Sequence, residues 1–284
     1  MKTNTFRLIA ITISTAFLVG CGGNETQEST DENLVNDTIV EVETEQQVDY
    51  ALPSPLRVAN MFKRAGLPFN SSLMNSPKNI EKYVSKDVQK LNFGVYAADL
   101  AYSALNNQNQ DAIYYLQSLS NLSEKMWHTN IFSSVGILNR FEKNIGNEDS
   151  LINVLTDLQM QLDGYLDENG LSHNAVLIFS GAWIETMYIG SQVLEKEPNE
   201  KLNSILAEQV GVLDNLLGLA SQYKEDVPED LTKDLEKISN HFDKFRVKGD
   251  DSDDETEENM SFSVEELNAL AKDITEIRTK IING

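Results

Sequence analysis

The sequence predicts an all-α protein: a multi-helix up-and-down bundle or short helical solenoid that follows a signal peptide and a disordered acidic tether. Three observations carry that reading. From Pro55 to Gly284 apolar residues recur at three- and four-residue spacing, with no convincing run of the period-two alternation that a half-buried strand needs. Cap residues, prolines and glycines cut this pattern into helix-length pieces joined by a few residues, which favours antiparallel neighbours. Ahead of Pro55, an apolar leader and an acidic polar stretch lack the pattern altogether. The chain therefore divides into 1–20, 21–54 and 55–284, the last with an acidic loop at 249–262.

The leader begins with Lys2 and Arg7, continues as an apolar stretch from Leu8 to Val19, and places small Gly20 before Cys21, the order of an export signal. As a helix the apolar stretch rises only about 18 Å against a hydrocarbon core of about 30 Å, too short to span comfortably. Gly22 to Ser54 then holds nine acids, no Lys or Arg, and Tyr50 as its one ring. Such a stretch buries too little apolar surface to offset chain entropy and is expected to be a tether with a reach of roughly 30 Å.

Within the body, Ser54-Pro55 is a cap and first-turn pair for a helix burying Leu56, Ala59, Phe62 and Ala65 and closed by Gly66 and Pro68. The second helical region follows Ser76-Pro77 with Ile80, Val84, Val88, Leu91, Val95, Ala98, Tyr102 and Leu105, and a break is expected near Ser85 or Gly94. Asn109 is read as the cap of a third helix burying Ile113, Leu116, Leu119, Leu122 and Met126, and a fourth runs from Asn130 to Ile145. A fifth, from Glu148 to Asp167, lines up Leu151, Leu155, Leu158, Leu162 and Leu166 and stops at Asn169-Gly170. The sixth opens near Ser172 and is apolar on much of its circumference, through Val176, Phe179, Trp183, Met187 and Val193, so it is expected at the centre. A seventh follows Pro198 and carries its stripe to Tyr223, and an eighth follows Pro228 and runs to Phe245. The last opens with Ser263-Val264-Glu265-Glu266, a capping-box pattern. Its stripe of Leu267, Leu270, Ile274, Ile277 and Ile281 must cover something, so this helix is expected to pack back on the body.

The 284 residues carry 45 acids against 23 bases, a net charge of -22. Much of the surplus sits in the tether and in Asp250–Glu258, leaving the body only moderately acidic. No basic stripe is present to neutralise phosphates, which excludes nucleic acid as an expected partner and disfavours electrostatic adsorption to anionic lipid. One cysteine excludes a disulfide framework.

The usual catalytic signatures are absent: no HExxH, CxxC, GxxxxGK, GxSxG or GxGxxG. Glu124 and His128 stand four apart, but two ligands do not make a metal site. Asp250–Glu258 lacks the EF-hand order and reads as a solvated loop. Neither metal nor cofactor is expected.

The notable positions are acids among apolar neighbours. Asp99 stands in a stretch with Tyr96 and Tyr102, and Glu185 in one with Trp183 and Tyr188. Small residues at 94, 97, 98, 101, 181, 182 and 190 let the two helices approach closely. A carboxylate buried there is costly without a hydrogen bond or a cation. Two readings follow: a ligand pocket formed by Asp99, Tyr102, Trp183, Glu185 and Tyr188, or core acids bonded to a Tyr hydroxyl, a backbone group or an Arg.

Leu18-Val19-Gly20-Cys21 resembles the lipobox of bacterial lipoproteins. That resemblance implies lipidation of Cys21 and a near-permanent anchor in a lipid bilayer. It also implies residence in the cell envelope, with Gly22-Gly23 in place of an acid favouring the outer membrane, facing periplasm or surface. Asp37-Thr38-Ile39 resembles an O-glycosylation acceptor of exported proteins. The stretches around Asp99 and Glu185, with Leu52-Pro53-Ser54-Pro55, are similar to a group of uncharacterised helical lipoproteins of diderm bacteria, a likeness that brings no activity with it. The expected function is a non-enzymatic module whose partner is another envelope protein. A small-ligand or nutrient-capture lipoprotein is the alternative, and an enzyme using the two acids as an acid/base pair the third.

Overall fold

The computed structural model describes residues 52–129, 131–132, 136–246 and 260–284. Cys21, the leader, most of the tether, Asn130 and the acidic run Asp250–Glu258 lie outside the described residues. The described residues are all helical or irregular, with no strand among them. In chain order the helices are α1 Pro55–Arg64, α2 Lys86–Leu105, α3 Asn109–Trp127, α4 Ile137–Lys143, α5 Glu148–Glu168, α6 His173–Leu194, α7 Glu200–Ala207, α8 Val210–Gln222, α9 Glu229–Ser239 and α10 Val264–Asn283. Short 3-10 turns stand at Ser71–Leu73, Pro77–Lys82 and Asn240–Phe245.

The architecture is a multi-helix bundle built on α2 and α6, which pack along each other's length although far apart in sequence. Eighteen of the 22 residues of α6 are buried, as its all-round apolar sequence requires. Two glycines set how close the pair comes. A Cβ on Gly94 would stand 1.8 Å from the Ile178 carbonyl oxygen, and one on Gly181 would stand 1.9 Å from that of Leu91. Gly94 is therefore a contact point and α2 runs through it unbroken. The break comes at Ser85, whose Oγ accepts from Val88 N at 3.3 Å and caps α2. Val84, expected inside, sits in the link before that cap and is 84% exposed.

α3 covers the far side of α2, and α1 lies across α2 and α6, with Phe62 filling the space a side chain at Gly190 would need. α10 packs on α6. Two large apolar clusters result, beside a small one of Ala59, Ala101 and Leu105. One gathers α1 and α6 to α10, and the other gathers the outer face of α2 with α3, α4 and α5.

Local chemistry accounts for most boundaries. Ser54 Oγ caps α1 at Arg57 N, and Val58 rather than Leu56 takes the fully buried position beside Ala59 and Phe62. The fifth-helix leucine stripe is buried throughout, and Gly170 leaves α5 at φ +66. Both bonds of the α10 capping box form between Ser263 and Glu266.

Elsewhere the structure differs from the sequence pattern. Asn109 is the first residue of α3 and not its cap; Gln108 holds the cap position with no side-chain bond. α4 is confined to Ile137–Lys143. The seventh helix is two, parted at Glu208-Gln209, where Gln209 is buried and its Nε2 donates to Ile205 O at 3.1 Å. The eighth tightens after Ser239 into the 3-10 turn. The end of the expected acidic loop is tied down: Asn203 Nδ2 donates to Phe262 O at 2.8 Å, Phe262 N donates back to Asn203 Oδ1 at 2.9 Å, and the Phe262 ring sits 4.8 Å from that of Phe245.

Candidate functional site

Asp99 on α2 and Glu185 on α6 meet in the core, both with no solvent exposure. The third member is Arg278 on α10. Its Nε donates to Glu185 Oε2 and its Nη2 to Glu185 Oε1, each at 2.8 Å, a bidentate pair with geometry fixed from both sides. Nη2 also donates to the Leu73 carbonyl at 2.9 Å. Tyr188 lies one turn along α6, its ring centroid 4.3 Å from the guanidinium carbon.

The irregular segment between Leu67 and Tyr83 passes over this cluster. A buried loop has backbone groups that no helix satisfies, and here side chains satisfy them. Asn75, only 1% exposed, is the hub. Its backbone N donates to Asp99 Oδ2 at 3.1 Å, and its carbonyl accepts from Tyr115 at 3.0 Å. Its side chain donates to Tyr83 Oη at 2.9 Å and accepts from Asn79 at 2.7 Å. Tyr96 donates to Ser76 O at 3.0 Å; Tyr102 donates to Pro68 O and accepts from Asn70 N at 2.7 Å. Asn92 Nδ2 bonds Ile281 O at 2.8 Å and so reaches α10.

Burial pushes Asp99 well above the ordinary carboxyl range, with the charge of Glu185 adding to the effect and Arg278 opposing it. Burial also raises Glu185, against the hydrogen bonds and charge of Arg278. Arg278 pairs with Glu185 and so favours its charged form, whereas burial and the charge of Glu185 favour the protonated form of Asp99. Asp99 Oδ1 otherwise has no partner, and the two acids lie within hydrogen-bonding reach. Asp99 Oδ2 accepts from Asn75 N, and a proton on Oδ1 would be directed toward Glu185. The surrounding tyrosines are held neutral, Tyr102 being pushed up to about 12 and Tyr96 and Tyr115 also raised, in each case first by burial.

Of the five residues singled out in the sequence, Asp99, Glu185 and Tyr188 belong to this cluster, and Tyr102 fastens the neighbouring loop. Trp183 is two positions from Glu185, about 200° round the helix, and is buried in the apolar cluster with Nε1 unpaired. None of the cavities described below is lined by any of the five. Arg278 and Asn75 were not singled out. Arg278 carried a signal, a lone cation four residues after Ile274 and three before Ile281 on the buried stripe; Asn75 lies in irregular chain and carried none. Among the described residues no group of three or more His, Cys, Asp or Glu could hold a metal ion, and His128 ends α3 at φ +55, off the helix that carries Glu124.

No protein-family model, curated protein or solved structure matches the chain.

The proton favoured on Asp99 has a measurable consequence. An acid with a raised folded-state pKa binds its proton more tightly folded than unfolded. Its contribution to stability is full below the unfolded value of about 3.9 and is lost as pH rises toward the folded value. Asp99→Asn keeps a donor toward Glu185 and has nothing to titrate. Urea unfolding at a series of pH values should show this variant gaining on the parent as pH rises from about 4. Parallel stability curves would mean that Asp99 carries no extra proton.

Proposed function

We propose that this chain is a lipid-anchored lipoprotein of a bacterial cell envelope, a non-enzymatic module whose helical body docks another envelope protein. The observation that carries the reading is Leu18-Val19-Gly20-Cys21 after a charged start and an apolar stretch, with the chain's single cysteine at the end of it. The acidic tether then sets the body off the bilayer, and Gly22-Gly23 favours the outer membrane. Two acids that could have served as an acid/base pair are instead spent on one another and on Arg278, with no exposure to solvent. That arrangement suits a rigid docking body better than a reacting centre. Protease treatment of intact and of lysed cells, followed by crosslinking, tests the proposal. The expected result is a body crosslinked to a discrete envelope protein; a body without any protein neighbour contradicts it.

A further inference from the structure

Two neighbouring cavities of about 150 and about 130 Å³ lie against α5 and share Ser54, Pro55, Ala97 and Gln159 in their linings. The larger lies between α2, α3 and α5 beneath the start of α1, with Phe93, Leu100, Leu119, Leu155 and Leu158 as buried walls. Its room comes from α2, where Ala97 and Ala101 stand one turn apart and both belong to the lining. The polar side chains gather at the mouth, where Thr156 and Met160 are exposed and Ser54 and Gln159 half-buried. No charged side chain among the described residues lines this cavity, and the smaller one has a single acid, Asp163, and no cation among its described lining residues.

Protein interiors leave few voids larger than a water molecule, and an apolar one of about 150 Å³ accepts one six-membered ring. We propose that the larger cavity is a binding site for a small uncharged ring compound of the size of phenol, held with its polar edge at the mouth. The ring packs against Phe93, Leu100 and Leu119, side chains that offer water no hydrogen bond. The mouth can satisfy a hydroxyl. Ser54 Oγ accepts from Arg57 N at 3.2 Å and keeps its own hydrogen to donate. Gln159 Nε2 donates to Asp163 Oδ1 at 2.8 Å, which leaves Oε1 to accept. An anionic ring compound fits badly, because its charge would lose water beside apolar walls, with Asp163 bonded to Gln159 nearby. The site is separate from the Asp99–Glu185–Arg278 cluster, no member of which lines it, and it does not depend on a membrane anchor.

The test titrates phenol and, separately, benzoate into the methyl-labelled full chain, read by nuclear magnetic resonance through methyl shifts and through contacts from the ring protons. Phenol is expected to saturate with ring contacts to the methyls of Leu100, Leu119 and Leu155, and benzoate to bind at least about tenfold more weakly. Ala97→Leu sets a larger side chain into the same space and should weaken phenol at least about tenfold while the chain stays folded. If that variant fails to fold, the contacts in the parent decide by themselves. No such contacts in the parent, phenol bound undiminished by a folded Ala97→Leu chain, or benzoate bound as tightly as phenol would each overturn the proposal.

Discussion

Glu185→Gln is expected to cost the fold about 3–5 kcal/mol, a large part of the ~5–15 kcal/mol that holds a domain together. The glutamine retains the shape and one acceptor, yet Arg278 is left as a buried cation without its counter-charge. Asp99 provides a partial escape: it can release its proton and become the anion that Arg278 requires, since a charged Asp99 carboxylate stabilises the Arg278 cation. This gives a specific non-additivity. Asp99→Asn alone should leave the fold no less stable than the parent near pH 7, where the parent bears the cost of its proton, but in the Glu185→Gln background it removes the escape and should add at least about 1 kcal/mol beyond the sum of the single changes. A double-mutant cycle in urea reads that coupling directly. Additive costs would mean that Asp99 does not take over the charge of Glu185.

Gly94→Ala and Gly181→Ala should be comparably damaging from a single methyl group. Alanine is favoured over glycine in a helix interior by about 1 kcal/mol, so propensity alone predicts stabilisation. Contact geometry reverses the sign. The added carbons would stand 1.8 and 1.9 Å from carbonyl oxygens of the facing helix, and backbone cannot swing aside as a side-chain tip can. The two central helices must part, loosening both large apolar clusters, at a cost of about 3 kcal/mol or more. Gly164 on α5 and Gly211 on α8 have nothing within 4 Å of the same position and serve as controls. Alanine there should raise the melting temperature slightly, while at 94 or 181 it should lower it by many degrees. Equal effects at all four sites would remove the close-contact account of the α2–α6 pair.

The sequence made legible whatever depends on neighbours within a turn or two. The Ser263–Glu266 capping box, the Ser54-Pro55 start, the α5 leucine stripe and the all-round burial of α6 are written locally, and each is found. What was not legible depends on distant chain. The parting of α7 from α8 has no proline to announce it. Val84 continues the apolar pattern of the second region but falls in a link that faces solvent. At the core site the acids could be found because a charge among apolar residues is conspicuous, whereas the partner that balances them is 93 residues from Glu185. Arg278 lay on a buried stripe and could have been read as the required cation. Asn75 acts mainly through backbone groups in irregular chain, and no pattern of residue types encodes that.

In the proposed function, one sulfur atom joins the helical body to a membrane. Intact mass of the mature product isolated from cells tests that junction most directly. The expected species begins at Cys21 and carries the added mass of a diacylglyceryl group with a further acyl chain. A polypeptide with an unmodified thiol at position 21, recovered without detergent, would contradict the account.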